Sequence, residues 1–95
     1  MPTLTFTVWH NAGATGSGPV LQEENIAIGA TSAQGSAISG SGETRKVRIF
    51  CDVNAYVTWG SDPTAASGSA RPMGLENPEY FEINAGDKVA VLERV

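Results

Sequence analysis

Residues 44–53 repeat with a period of two: Val47, Ile49, Cys51 and Val53 fall on one side, and Lys46, Arg48, Phe50 and Asp52 on the other. A helix turns by about 100° per residue and cannot hold such a set on one face, whereas a strand does so by construction. The same alternation opens the chain, where Leu4, Phe6 and Val8 point one way while the threonines and Trp9 point the other. β-Branched threonine suits the wetter face of a half-buried strand. No stretch keeps a helical period over three turns, so the chain is constrained to an all-β fold.

Further strands are expected at about residues 20–28, 55–59, 80–83 and 88–92. In the first of these Leu21, Ile26 and Ile28 are inward candidates, and Glu23-Glu24-Asn25 reads as a bulge or turn. Residues 29–42 are almost wholly Gly, Ala, Ser and Thr; they have room for a short strand near 36–39 or for an ordered loop held by a neighbour. Asn54 signals a turn into an antiparallel successor of the 44–53 strand. Gly60-Ser61-Asp62-Pro63 then breaks the ladder, and a soft loop runs on through Pro72 and Gly74. The last two strands, joined by Asn84-Ala85-Gly86-Asp87, read as a hairpin with Phe81, Ile83, Val89 and Val91 on its inward face. Six to eight short strands and Gly/Pro/Ser/Asn loops predict one domain over residues 1–95: a small antiparallel β-sandwich or jelly-roll-like domain with long Gly/Ser-rich loops. The Cys…Trp…Cys framework of immunoglobulin domains is missing.

A 95-residue chain buries too little surface for a wide stability margin, and the usual remedies are disulfides, a metal or oligomerisation. Cys51 is the single cysteine, so no internal disulfide forms, and its apolar neighbours make it read as a small buried side chain. One histidine, His10, and one cysteine do not make a zinc site. Association with other chains is the remedy left.

The chemistry-bearing residues are scattered. Glu23 and Glu24 point to opposite faces of an extended chain, and Glu76, Glu79 and Glu82 are interrupted by Pro78. Gly13-Ala14-Thr15-Gly16-Ser17-Gly18 lacks the Lys-Ser/Thr ending of a phosphate loop and no helix follows it. The expectation is a protein with no enzymatic activity, no cofactor and no metal. A net charge of −4 argues against a nucleic-acid partner, and Lys46 with Arg48 reads as a solvated or partner-facing strand surface. No apolar run approaches the ~20 residues of a membrane helix, and no signal peptide is recognisable, so folding in a cytosol is expected. The candidate interaction surface is drawn from Leu4, Phe6, Trp9, His10, Arg45, Arg48, Trp59, Arg71 and Tyr80. Residues 1–9, 11–19 and 29–42 are expected to supply many of its contacts.

The second half of the chain carries a run of segments: Val47-Arg48-Ile49-Phe50, Tyr56-Val57-Thr58-Trp59-Gly60, Asp62-Pro63-Thr64-Ala65, Pro78-Glu79-Tyr80-Phe81 and Gly86-Asp87-Lys88-Val89-Ala90-Val91. This pattern resembles small β-rich structural proteins of tailed bacteriophages encoded near the major capsid gene, some of which are head decoration or cement proteins. The resemblance covers about half the chain. It implies a protein of the virion, assembled in the bacterial host cytoplasm, that binds the outer capsid surface and bridges capsid subunits. Its partners would be the major capsid protein and copies of itself, with trimers favoured. Two rival readings stand beside it: a tail, head-fibre or connector-associated protein, and a carbohydrate- or receptor-binding β-sandwich using Trp9, Trp59 and Tyr80.

Overall fold

A computed structural model describes residues 2–10, 20–40, 42–68 and 70–94 of the chain. It contains eight strands: β1 (Thr3–His10), β2 (Val20–Ala27), β3 (Ala33–Gln34), β4 (Thr44–Cys51), β5 (Ala55–Gly60), β6 (Arg71–Met73), β7 (Glu79–Asn84) and β8 (Lys88–Glu93). They form two four-stranded antiparallel sheets, ordered β2-β1-β4-β7 (sheet A) and β3-β8-β5-β6 (sheet B). Counting from β2 and placing β1 last, these orders become 1-8-3-6 and 2-7-4-5, the two-sheet order of a jelly roll. The chain is thus a jelly roll whose closing strand stands first in sequence. Its two ends meet on either side of one corner: the Pro2 carbonyl accepts from the Ile28 N–H (2.9 Å), and the Gly29 carbonyl from the Glu93 N–H (3.0 Å).

The alternating residues do what their period dictates. Leu4, Phe6 and Val8 of β1, Val47, Ile49 and Cys51 of β4, Val57 of β5, and Val89 and Val91 of β8 are all fully buried between the sheets. Residues 44–51 run exposed-buried-intermediate-buried throughout the strand. The N-terminal strand is therefore a central member of sheet A with β2 and β4 on its two sides, and not an arm reaching for a neighbour. Together with Ile26, Ile28, Ile38, Met73 and Ile83, these side chains make one continuous core inside a single chain.

Two pairings differ from the sequence expectation. β7 pairs with β4 and β8 with β5, so the 80–92 segment is not a hairpin but an arch between the sheets. Likewise β4 and β5, consecutive in sequence, lie in different sheets. Phe81, Ile83, Val89 and Val91 do share a core, but they enter it from opposite sides. Alternation states which face is apolar, and an arch satisfies that as well as a hairpin does. β2 also runs unbroken through Glu23-Glu24-Asn25; the irregularity falls at its start, where Val20 instead of Leu21 stands opposite Trp9. Leu21 is thereby turned towards the core.

The Gly/Ser-rich segment is ordered by its own chain. The Gly35 N–H donates to the Val89 carbonyl (2.9 Å) and the Ile38 N–H to that of Asp87 (2.8 Å), so residues 33–38 continue along β8. From the other side the Glu24 carboxylate accepts from the Ser36 N–H (2.7 Å), and the Gln22 amide oxygen from the Ser39 N–H (2.8 Å). Glu24 and Gln22 face inward at the rim of sheet A, opposite Phe6 and Val8, and stitch that side of the sandwich shut. Residues 11–19, also expected to touch a partner, lie outside the described residues, as do Met1, Ser41 and the side chain of His10.

Candidate interaction surface

The two outer faces of the sandwich are dressed differently. On sheet B, Ala90 points outward by alternation yet is fully buried. Residues 61–66, read from sequence as a soft loop, fold back over it. The Gln34 amide donates to the Asp62 carboxylate (2.9 Å) and the Pro63 carbonyl (2.7 Å), and the Ala65 N–H donates to the Ser32 hydroxyl (2.9 Å). Pro63 and Ala65 are buried by this strap. Nearer the chain ends, the Arg94 guanidinium lies over the Tyr56 ring at 6.0 Å.

Sheet A has no such strap among the described residues. Its outer face is divided lengthwise. Over β1 and β2, cross-strand polar pairs satisfy one another: the Thr5 hydroxyl donates to Asn25 (2.7 Å) and the Thr7 hydroxyl to Glu23 (3.0 Å). Over β1, β4 and β7, register brings Trp9 beside Lys46 and Lys46 beside Glu82, with Arg48 beside Tyr80. Trp9 and Tyr80 stack diagonally across β4 with ring centroids 6.3 Å apart and an interplanar angle of 29°. The Lys46 ammonium stands 5.4 Å from the Tyr80 ring centroid, and the Arg48 guanidinium 5.5 Å from that of Phe50. Such cation–aromatic contacts hold long side chains flat against the sheet. Tyr80 remains 56% exposed, and Val20, next to Trp9 in the register, 54%. The outcome is an aromatic and cationic platform on a four-stranded support, with Tyr80 and Val20 exposed and Trp9, Lys46, Arg48 and Phe50 half-buried.

Of the residues singled out from sequence, Trp9, Arg48 and Tyr80 come together here. Arg71 sits on the neighbouring edge, 2.7 Å from Glu79 and over the Phe81 ring at 5.3 Å. The others do not belong to this surface. Leu4 and Phe6 are wholly buried, as their parity with Val8 requires. Arg45 shares the inward parity of Val47; only 8% exposed, it donates to the Ser39 carbonyl (2.9 Å) and pairs with Glu43 (3.4 Å). Trp59, in step with Val57, turns between the sheets and meets Phe81 with ring centroids 4.6 Å apart. The nine candidate residues do not include Lys46, Phe50 or Val20, although Lys46 reads from sequence, with Arg48, as a solvated or partner-facing strand surface. Alternation signals the first two, whereas Val20 enters only through the irregular pairing at the start of β2.

Elsewhere the chemistry is sparse. Burial, and secondarily the Asp52 carboxylate, pushes the Cys51 thiol from 9.0 up to about 11, which keeps it a protonated core side chain. An open groove of about 550 Å³ lies between β2 and residues 33–36, with Glu24 and Lys88 in its lining, but the Glu24 carboxylate there is bonded to the Ser36 N–H. Among the described residues no three His, Cys, Asp or Glu side chains gather as metal ligands, and no helix is long and apolar enough to cross a membrane. Comparison with protein-family models, with curated protein sequences and with solved structures finds no match to this chain. The fold and the surface define a small all-β domain of jelly-roll order that presents one aromatic–cationic face.

Proposed function

We propose that this domain is a structural subunit of a tailed-phage virion, a capsid decoration protein that docks on the major capsid protein through the outer face of sheet A. One observation carries the reading: Trp9, Arg48 and Tyr80, with Lys46 and Phe50, share one sheet face that no strap covers among the described residues, while the opposite face is strapped over by residues 61–66. Tryptophan, tyrosine and arginine are the side chains that dominate binding energy at protein interfaces, because they bury large areas at little conformational cost. The segment pattern in the second half of the chain supports the phage assignment. The mechanism is mechanical: contact area on adjacent capsid subunits adds binding free energy to the assembled shell.

The test is addition of purified protein to undecorated capsids. Under this reading bound copies scale with the number of capsid subunits. Trp9→Ala or Tyr80→Ala each weakens binding by about 2 kcal/mol, roughly thirtyfold. A copy number tied to vertices or to the tail transfers the protein to the tail or connector class, and no binding removes the virion reading. The stacked Trp9–Tyr80 pair also favours a second reading, a carbohydrate platform, since sugar rings lie on exposed aromatic faces. Glycan-array binding lost in Trp9→Ala and kept in Trp59→Phe would select it.

A further inference from the structure

We propose that β7 is a self-complementary edge through which two copies of this chain join their A sheets across a two-fold axis at Phe81. Which backbone groups of β7 are free follows from two hydrogen bonds. The Ala85 N–H donates to the Glu43 carbonyl (2.7 Å), in step with the pairing of Thr44 and Asn84, so odd-numbered residues of β7 bond to β4. On the other side of β4 the Asp52 N–H donates to the Thr3 carbonyl (3.2 Å), in step with Leu4 facing Cys51. β4 therefore sends its odd residues to β7 and its even residues to β1. The N–H and C=O groups of Tyr80 and Glu82 point away from β4, into a side that no strand covers among the described residues.

The other sheet edges are managed. β2 is flanked by residues 35–39 through the Gln22 and Glu24 side chains; β3 has two residues; β6 has three and carries Pro72. β7 has six residues with no proline, no lysine and no bulge; its charges are outward Glu82 and inward-facing Glu79, the latter neutralised by Arg71 of β6 at 2.7 Å.

The occupant is argued from register. Residues facing one another in an antiparallel pair share a sheet face, so a joined sheet must set outward Tyr80 and Glu82 against outward residues of the incoming strand. A two-fold axis at Phe81 does this. Tyr80 of one copy faces Glu82 of the other, twice over, and both are residues whose free N–H and C=O groups exchange bonds across the edge. The phenol then stands ready to donate to the carboxylate, and the two Phe81 rings meet on the inner side, each between its own Trp59 and its own Arg71 guanidinium. An axis at Glu82 keeps the faces but sets Glu82 against Glu82, like charges directly opposite. A shift by one residue sets outward Tyr80 and Glu82 of one copy against inward residues of the other, so the faces of the joined sheet no longer match. The self-pairing at Phe81 meets all three requirements. It shares Tyr80 with the outer face but does not depend on what that face binds, and it replaces the threefold arrangement implied by the resemblance with a two-fold one.

Sedimentation of the full chain over a concentration series tests it. The wild type is expected to form a two-chain species. Glu82→Pro removes an outward carboxylate and a backbone donor that β4 does not use, so it should keep the far-ultraviolet dichroism of the fold and sediment as one chain at every concentration. Tyr80→Glu, which sets like charges across the axis, should raise the dissociation constant about tenfold or more, whereas Tyr80→Lys should retain or tighten pairing. This opposed pair of variants decides the matter even where Glu82→Pro fails to fold. A wild type that stays single, a three-chain species, a two-chain species that survives Glu82→Pro in folded form, or equal effects of Tyr80→Glu and Tyr80→Lys would each overturn the proposal. So would pairing confined to an extended segment of another protein.

Discussion

Cys51 shows how one side chain couples core packing to solution conditions. Its thiol is fully buried, and burial ahead of the neighbouring Asp52 raises it to about 11 from 9.0. Below about pH 9 the thiol is protonated whether the chain is folded or not, and its packing contribution is intact. Between about pH 9 and 11 the unfolded chain ionises while the folded one does not, so stability falls across that window. The loss is roughly 2–3 kcal/mol. The urea midpoint of the wild type should therefore approach that of Cys51→Ala as pH climbs from about 8.5 to 11, other titrations being common to both proteins. A constant gap would show that the thiol is not held neutral. In the native state at neutral pH the same burial should block alkylation until denaturant is added. At the residue scale, parity along a strand is what makes burial legible in the sequence. Trp9 and Arg48 are outward and Cys51 inward for the reason their spacing gives. Leu4 and Phe6 are barred from the surface by their own parity, and Arg45 and Trp59 likewise share the phase of buried neighbours.

At the scale of elements, alternation located six strands but not their partners. β4–β5 and β7–β8 are arches, and only the distribution of strands between two sheets distinguishes them from hairpins. β3 and β6, at two and three residues, are too short for any period to register. The 29–42 segment, by composition poor in core-forming side chains, is anchored by one of them: Ile38 is 1% exposed, while the surrounding backbone bonds to β8. Gly35 marks its tightest approach. A Cβ there would lie 2.7 Å from a Glu24 carboxylate oxygen and 2.9 Å from both the Ile26 and Phe6 side chains, and buried Phe6 has nowhere to move. Gly35→Ala is expected to destabilise the domain by about 1–3 kcal/mol, read from urea unfolding, through overpacking. Gly29→Ala, where nothing lies within 4 Å, is the matched control and should shift stability far less.

At the scale of the whole molecule, strand order makes the chain a jelly roll opened at an unusual place. Pro2 and Glu93 bond to successive residues, Ile28 and Gly29, so the two ends lie no more than roughly 14 Å apart. A permutant that joins residue 94 to residue 2 through a short Gly/Ser linker and opens within residues 11–19 would run in conventional jelly-roll order. It should fold cooperatively with a urea midpoint near that of the parent; failure to fold would mean that β1 must be first in sequence for the sheets to assemble. Sequence gave no view of this, because closure of a fold depends on where ends meet and not on local period. The strap of residues 61–66 governs something else again: how thick a layer of these domains can grow. A sandwich with two bare faces can stack without limit, each copy offering the next a landing site. Here one landing site is already taken by the chain itself, so under the proposed docking a surface coated by such domains through sheet A would turn its strapped side outward and stop accumulating at a single layer.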